Sequence, residues 1–466
     1  MIEDNKSQEK ITIRKELKAH LIIALPLAAA YLAEIAMVLT DNAIVGHLGA
    51  LELAGVGLAA NAVWESLVFA TSIVAIVGVL VAQAHGAKNH NVIGHHVRQG
   101  FWVAVAFSIP TTALCFYATS LLGLTDQDPK VLVISDQYLR TVSWCVLPTM
   151  LFTVLRSYVS SLSRATAVMV ISVGAVGLNA LLTYGMVFGA FGLPEMGVAG
   201  AGLSTTIVCW IMDFALVFHT ARTQGLKRYR IYQDLFDLDF TECMQIIRLG
   251  MPIGGIALME GGLFMAVAVM MGVLGANALA ANQVVTGVVG VMFMVSLAIG
   301  EAAGIRVAHG IGAGKIAESR QSGLLGIWLG IGFAILAGLW FIFGSPMIVG
   351  FFLDLSDPEN TEVLTLCTSL FLIAAAFQLF DGLQVIAARI LRGMKDVIVP
   401  MWIAAVGYWI FGIGSGYVLA FELGYGPQGL WWGLALGLAI TGLMLTGRFV
   451  ILSRVIKKVN ENAGPV

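Results

Sequence analysis

Twelve stretches of this chain are apolar over roughly 20 residues or more, and an α-helix of that length spans the hydrocarbon core of a bilayer. They fall at about 18–45, 52–84, 98–123, 135–159, 165–190, 196–221, 246–274, 277–308, 321–353, 362–390, 397–421 and 428–452. The runs are continuous, whereas the strands of a transmembrane barrel alternate in segments of about 10 residues. Of the 466 residues 58% are hydrophobic and 12% charged, against about 25% charged in a soluble domain. The sequence predicts an all-α polytopic membrane protein of about twelve helices. Its 53 glycines suit the close backbone approach of membrane helices.

Charge orders the loops. With the N-terminus inside, every one of the 26 Lys and Arg residues except Lys130 and Arg140 lies on an inside segment or an adjoining helix end. One helix more or fewer would scramble that alternation, so both termini are expected to be cytoplasmic. The outside loops read acidic, as TDQDP at 125–129 and DLSDPEN at 354–360. A polar stretch separates six runs from six. The expected organisation is a cytoplasmic N-terminal segment 1–17, an N-lobe 18–221, a cytoplasmic linker 222–245, a C-lobe 246–455 and a cytoplasmic tail 456–466. The first apolar run is too long for the core of a signal peptide, and no cleaved leader is expected.

The chain also repeats itself. At an offset of 226, Pro26 falls on Pro252, Leu32 on Leu258, Glu34 on Glu260, Gly46 on Gly272, and Leu48-Gly49-Ala50 on Leu274-Gly275-Ala276. Later, GVAGAG at 197–202 resembles GPQGLW at 426–431. Each repeat holds six spans, an even number. Both therefore enter the membrane from the same side, as parallel repeats related by an axis along the membrane normal.

Ionisable groups inside such runs are costly and are functional candidates by default. They are Glu34, Asp41, Glu65, Asp213, Glu260, Glu301, Arg306 and Asp381. Glu260 has no ionisable neighbour across 249–281. Glu34 and Asp41 are seven apart, which places them within about 20° on one helix face and about 10 Å apart along it. Gln378, Asp381 and Gln384 form a stripe at spacings of three, and Asn282-Gln283 opens the eighth run. Glu65 and Asp213 read as structural hydrogen bonds or interfacial groups. Glu301 and Arg306 are five apart, a poor helical spacing for a pair. For Asp41, Glu260 and Asp381 the deep basic residues are too few, so each must be protonated or hold a cation. Carboxylates with Gln and Asn carbonyls suit a hard ion such as Na⁺.

Other chemistries find little support. His90, His95 and His96 sit in a polar loop with no carboxylate or cysteine close in sequence to complete a metal site. GIGAGK at 310–315 lacks the GxxxxGK[ST] pattern of a phosphate-binding loop. The five cysteines have no CxxC pairing. Ser204-Thr205-Thr206 has no histidine at helical spacing to activate a nucleophile, and no nucleic-acid motif is present. The chain is not expected to be an enzyme.

Several segments carry a resemblance. TDNAIVGHLG (40–49), VAQAHGAKN (81–89), IRVAHGIGAG (305–314) and FQLFDGLQVIAARILRGMKD (377–396) are similar to those of the multidrug and toxic compound extrusion (MATE) family. A carboxylate in the seventh helix joined by one in the tenth resembles its NorM-like branch. The resemblance implies a secondary antiporter working by alternating access. It would export lipophilic organic cations in exchange for Na⁺ or H⁺ at a bacterial inner membrane, without a cofactor. Asp41, Glu260 and Asp381 match the family's acidic positions, and the last two would bind the coupling cation, Na⁺ in the metal-ion case. Asn179 resembles a polar position of the N-lobe cavity. Glu34, Asn282, Gln283, Gln378 and Phe377 are further candidate contacts. Phe377 stands where some relatives carry tyrosine, so a shell using that hydroxyl would need water or Gln378 instead. Partners implied are small organic cations and membrane lipid, with no nucleic acid and a monomeric chain. The alternative is a flippase of lipid-linked oligosaccharides from the same superfamily. Such a protein needs a cationic cavity, and the deep charges here are mainly acidic.

Overall fold

The structure is a computed structural model; it describes the backbone of residues 2–123, 127–352 and 361–462 and the side chains of 13–123, 127–352 and 361–455. Among the described residues there is no strand. Twelve helices are long and apolar enough to cross a membrane. They are α1 (Ile13–Gly46, of a helix that begins at Ile2), α2 (Ala50–Gly86), α3 (His90–Phe116), α4 (Pro129–Ser161), α5 (Thr166–Phe188) and α6 (Gly197–Arg222). The second six are α7 (Phe240–Leu274), α8 (Ala276–Gly312), α9 (Ile316–Val349), α10 (Thr361–Gly393), α11 (Ile398–Glu422) and α12 (Gly426–Val455). The acidic segment 354–360 lies outside the described residues, as do 125 and 126 of the other acidic loop.

Several helices run past their apolar stretches, and their polar ends show why. Hydropathy senses only the segment that suits lipid, whereas the helix continues wherever its end is capped or held. α7 starts at Phe240 because Asp239 caps it, its Oδ1 accepting from Thr241 N at 2.9 Å and Glu242 N at 3.2 Å. The text D239-F-T-E242 has the spacing of a capping box. Hydrogen bonds from the Glu242 and Thr241 N–H groups, then His95, hold the Asp239 carboxyl below the usual carboxylate range. α3 starts at His90, eight residues before its apolar run, and His95 and His96 of that polar turn meet Asp239 and Glu242 at the end of the linker. Gln99 Nε2 donates to Asp237 O at 2.7 Å and Trp102 Nε1 to Leu235 O at 2.8 Å. α4 begins with Asp128 as cap and Pro129 in its first turn. A 3₁₀ turn at Ser143–Cys145 interrupts α4 just before Pro148, whose missing N–H removes one α-helical hydrogen bond there.

The internal repeat is visible in the backbone. Gly49 and Gly275, matched at offset 226, both take positive φ (150° and 129°) where one helix ends and the next begins. Gly197 and Gly426, matched in the second similarity, take φ of 55° and 54°. A side chain is strained at such angles, so glycine is kept where the turn is kept.

The chain divides into two compact units, Ala29–Gly254 and Met1–Ala28 with Gly255–Val466. The division runs inside α1 and α7, not in the polar linker, and its two points are again 226 apart. Each falls two residues after a helical proline, Pro26 or Pro252. In the unit containing the C-terminal repeat, Glu16 fixes the first half of α1. Its carboxylate takes two parallel bonds from Arg306 Nε and Nη2, both 2.8 Å, and one from Ser322 Oγ at 2.6 Å. In the other unit, Glu242, the offset-226 counterpart of Glu16, fixes the first half of α7 by accepting from His96 Nδ1 at 2.7 Å. His95 Nε2 lies 3.2 Å from Asp239 Oδ2 beside it.

Glycine faces then set helix separation. A methyl at Gly304 of α8 would lie 2.6 Å from the Arg389 carbonyl of α10, so these backbones touch. Around that contact the C-terminal repeat builds a buried core from Ala303, Val307, Ile386, Ile390, Leu445 and Phe449. Gly290, on the same helix as Gly304, faces open space. Gly304→Val is expected to destabilise the protein by about 1–3 kcal/mol, the usual cost of overpacking. Gly290→Ala should leave the detergent melting temperature within a degree or so of wild type.

Candidate functional site

The deep acids separate into those that another helix supplies with a base and those that it does not. Glu34 of α1 accepts from Arg156 Nη1 of α4 at 2.7 Å, and that guanidinium lies 5.0 Å over the Tyr31 ring. Glu301 of α8 is bound by Arg389 and Arg392 of α10. The weak expectation of a Glu301–Arg306 pair is thus replaced by two long-range pairs, because Arg306 goes to Glu16. Five residues along a helix put Glu301 and Arg306 about 140° apart, on different faces.

Asp41 is held by hydroxyls instead. In the unit 29–254 it is 6% exposed. Thr183 of α5 donates to Oδ1 at 2.7 Å, and Thr205 of α6 donates to Oδ2 at 2.9 Å. Ser204 Oγ lies 2.6 Å from Thr183 Oγ1, and Asn179 Nδ2 lies 3.4 Å from it. Asn179 is buried as part of this group, with its Oδ1 unpartnered. Thr183, Ser204 and Thr205 were not among the candidates read from sequence. The i, i+4 spacing of Asn179 and Thr183 is the signal that could have found Thr183. Ser204 and Thr205 had been weighed only as nucleophiles.

The other unit holds the second acidic centre. Glu260, on α7, accepts from Gln384 Nε2 of α10 at 2.8 Å. Gln384 Oε1 in turn accepts from the Tyr408 hydroxyl of α11 at 2.7 Å. Asp381 is 1% exposed, and among the described residues neither of its oxygens has a hydrogen-bond partner within bonding geometry. Gln378, one turn earlier on α10, is fully buried with both amide atoms unpartnered. The Glu260 carboxylate acts on Asp381 electrostatically. The stripe predicted at 378, 381 and 384 therefore exists and faces inward. With Glu260, its chemistry is two carboxylates and two primary amides in an apolar surround. Ionised and without a counter-charge, a buried carboxylate costs several kcal/mol. The oxygen donors fit a proton or a hard cation and offer nothing to a soft metal.

Phe377 is fully buried, with ring centroids 6.2 Å from Phe264 and 5.4 Å from Trp431. It is a packing residue beside the stripe. Asn282 is buried, and its Oδ1 accepts from Trp431 Nε1 at 3.1 Å. Gln283, 100° further round α8, is exposed and is not drawn into this group. Asp213 of α6 is buried, with Oδ1 unpartnered among the described residues. Glu65 is partly buried in α2. His95 and His96 of the polar loop meet the carboxylates of Asp239 and Glu242, some 145 residues away, and no cluster of three or more metal-ligating side chains occurs among the described residues.

Known proteins resemble this chain over nearly its whole length. The MatE family model matches residues 26–185 and again 252–418, beginning at Pro26 and Pro252. The multidrug resistance protein NorM of Burkholderia vietnamiensis is 36% identical over 428 residues, 92% of each chain. A probable multidrug resistance protein NorM of Mesorhizobium japonicum is 34% identical over 444 residues, 95% of each. Among solved structures, the eukaryotic MATE transporter AtDTX14 superposes with a TM-score of 0.85 at 22% identity, covering 97% of this chain and 99% of that one. A MATE protein in a bent conformation gives 0.86 at 14% identity, covering 97% and 98%. These two establish the fold. Taken with the full-length identities and the paired family match, they make this chain an integral membrane transporter of the MATE family, in its NorM-like branch.

Proposed function

We propose that the protein is a secondary antiporter that expels lipophilic organic cations across a bacterial inner membrane in exchange for entering Na⁺ or H⁺. The observation that carries this reading is the buried oxygen set on α10. Asp381 and Gln378 present carboxylate and carbonyl oxygens left unpartnered among the described residues, with the Glu260 carboxylate held by Gln384 one turn further along α10. Left empty and ionised, such a set is unstable; with a proton or a hard cation it is balanced. A site whose stability depends on a positive guest is what coupling to a cation gradient requires. The relatives named for multidrug resistance support the class of exported compound.

Each ligand can shift the transport equilibrium only through its different affinity for the two access states. The coupling ion acts at Glu260 and Asp381. Asp41, held by Thr183 and Thr205, is a second acidic centre for the exported cation in the other unit. The Lys and Arg distribution supports cytoplasmic termini. The acidic sign of the unsatisfied groups favours cationic cargo over a pyrophosphate-linked sugar, which would need the reverse polarity.

Glu260→Gln and Asp381→Asn should each lower drug efflux by roughly 100-fold, the loss expected when a strong charged contact disappears. Both variants should insert and melt like wild type; full drug resistance in cells carrying either one would overturn the assignment. In proteoliposomes at matched pH, an inward Na⁺ gradient drives efflux if Na⁺ is the coupling ion. A pH gradient without Na⁺ drives it if the proton is. Efflux driven by neither gradient would refute coupled antiport. Asp41→Asn is expected to weaken binding of a fluorescent organic cation while the response of Glu260 and Asp381 to the coupling ion persists.

A further inference from the structure

Tyr408 is absent from the oxygen set just described and controls it at one remove. It is fully buried on α11, in a stretch, Val406–Gly414, wound as π-helix. Wide turns of this kind are uncommon and cluster at functional sites. Its place is fixed by the neighbouring helix. A methyl at Gly407 would overlap Thr441 Oγ1 of α12, and one at Gly437 of α12 would lie 2.6 Å from Gly412 Cα. α11 and α12 thus meet backbone to backbone on either side of Tyr408, and its ring has little freedom to withdraw.

The hydroxyl has one proton to donate, and it goes to Gln384 Oε1 at 2.7 Å. That choice orients the amide. With its carbonyl engaged by Tyr408, Gln384 must turn its NH₂ toward Glu260, where it donates at 2.8 Å. An N–H donor aimed at a carboxylate stabilises the ionised, cation-free form of Glu260. A bound hard cation, or a proton on Glu260, favours the reverse, with the amide oxygen turned toward the carboxylate. Gln384 would then donate its NH₂ to the tyrosine oxygen. Tyr408 would then lose the acceptor it has in Gln384 Oε1, and a buried donor that loses its acceptor is costly.

We propose that Tyr408 is a positioning residue that biases Gln384 against the ion-loaded state, lowering the affinity for the coupling ion so that it can be released. The inference rests on the coupling role proposed for Glu260. It assigns the release bias to a residue that touches neither the ion nor the drug.

The test uses the full-length protein in detergent and in proteoliposomes. Bound ethidium, a lipophilic cation, is displaced by titrating Na⁺ at fixed pH, and separately by lowering pH without Na⁺. Efflux is measured in parallel. Tyr408→Phe removes only the hydroxyl. It is expected to lower the half-effective concentration of the coupling ion by roughly three- to tenfold while slowing efflux. A merely structural defect would weaken ion binding, so tighter binding with slower turnover marks the positioning role. In a Gln384→Leu background, Tyr408→Phe should have no further effect on that concentration. An unchanged or raised half-effective concentration in Tyr408→Phe overturns the proposal. So does a full Tyr408→Phe shift in the Gln384→Leu background. Either result, with the ion response still abolished by Glu260→Gln, leaves the coupling role standing. An ion response that survives Glu260→Gln removes the coupling role and this inference together.

Discussion

A carboxylate placed among apolar helices has to be balanced, and the ways in which this chain balances its acids organise the rest of the molecule. Glu16, Glu34 and Glu301 receive arginines from other helices and act as struts. Asp41 receives hydroxyls, which stabilise it without neutralising it. Asp381 is left with both oxygens unpartnered among the described residues. This series runs from structural to functional, and each step is a choice of neighbour more than of acid. The same residue type holds helices together when an arginine faces it and, under the function proposed above, takes a cation when only amides and another carboxylate do.

Helix packing makes the choice enforceable. Where α8 meets α10, glycine brings the backbones into contact, and Arg389 and Arg392 are thereby held against Glu301. Where α11 meets α12, glycines fix Tyr408, and through Gln384 the orientation of the donor on Glu260 follows. The polar groups are few, so their positions depend on how closely smooth surfaces can approach. In this protein the large share of glycine is therefore part of the electrostatics, because it sets which charges are near enough to pair.

Much of this was legible in the sequence, for reasons that differ by feature. The spans followed from length and hydropathy, and the repeat from a single offset that later proved to carry matched positive-φ glycines. The stripe at Gln378, Asp381 and Gln384 could be read because it lies on one helix, where spacing fixes geometry. Partners on different helices could not. Arg156 for Glu34, Arg389 for Glu301, Glu242 for His96 and Tyr408 for Gln384 lie between 24 and 146 residues from the groups they meet. Only packing brings them together. Gln283 shows the converse, since adjacency to Asn282 suggested a shared role that the 100° step of the helix prevents. The capping spacing of Asp239 and Glu242 was present in the text, and it explains why α7 begins earlier than its apolar run.

The division of the chain at 28/29 and 254/255 bears on how the protein is made. A ribosome completes the unit Ala29–Gly254 without interruption, so that its contacts can form as soon as residue 254 has emerged. The first 28 residues have no such opportunity. Glu16 waits for Arg306 and Ser322, nearly three hundred residues later, before its carboxylate is satisfied. During synthesis the opening helix is thus anchored at one half and idle at the other. A chain cut in the polar linker would yield two fragments, each lacking a helical segment that the other carries. The two repeats arose as copies of one sequence, but they mature as a joint product.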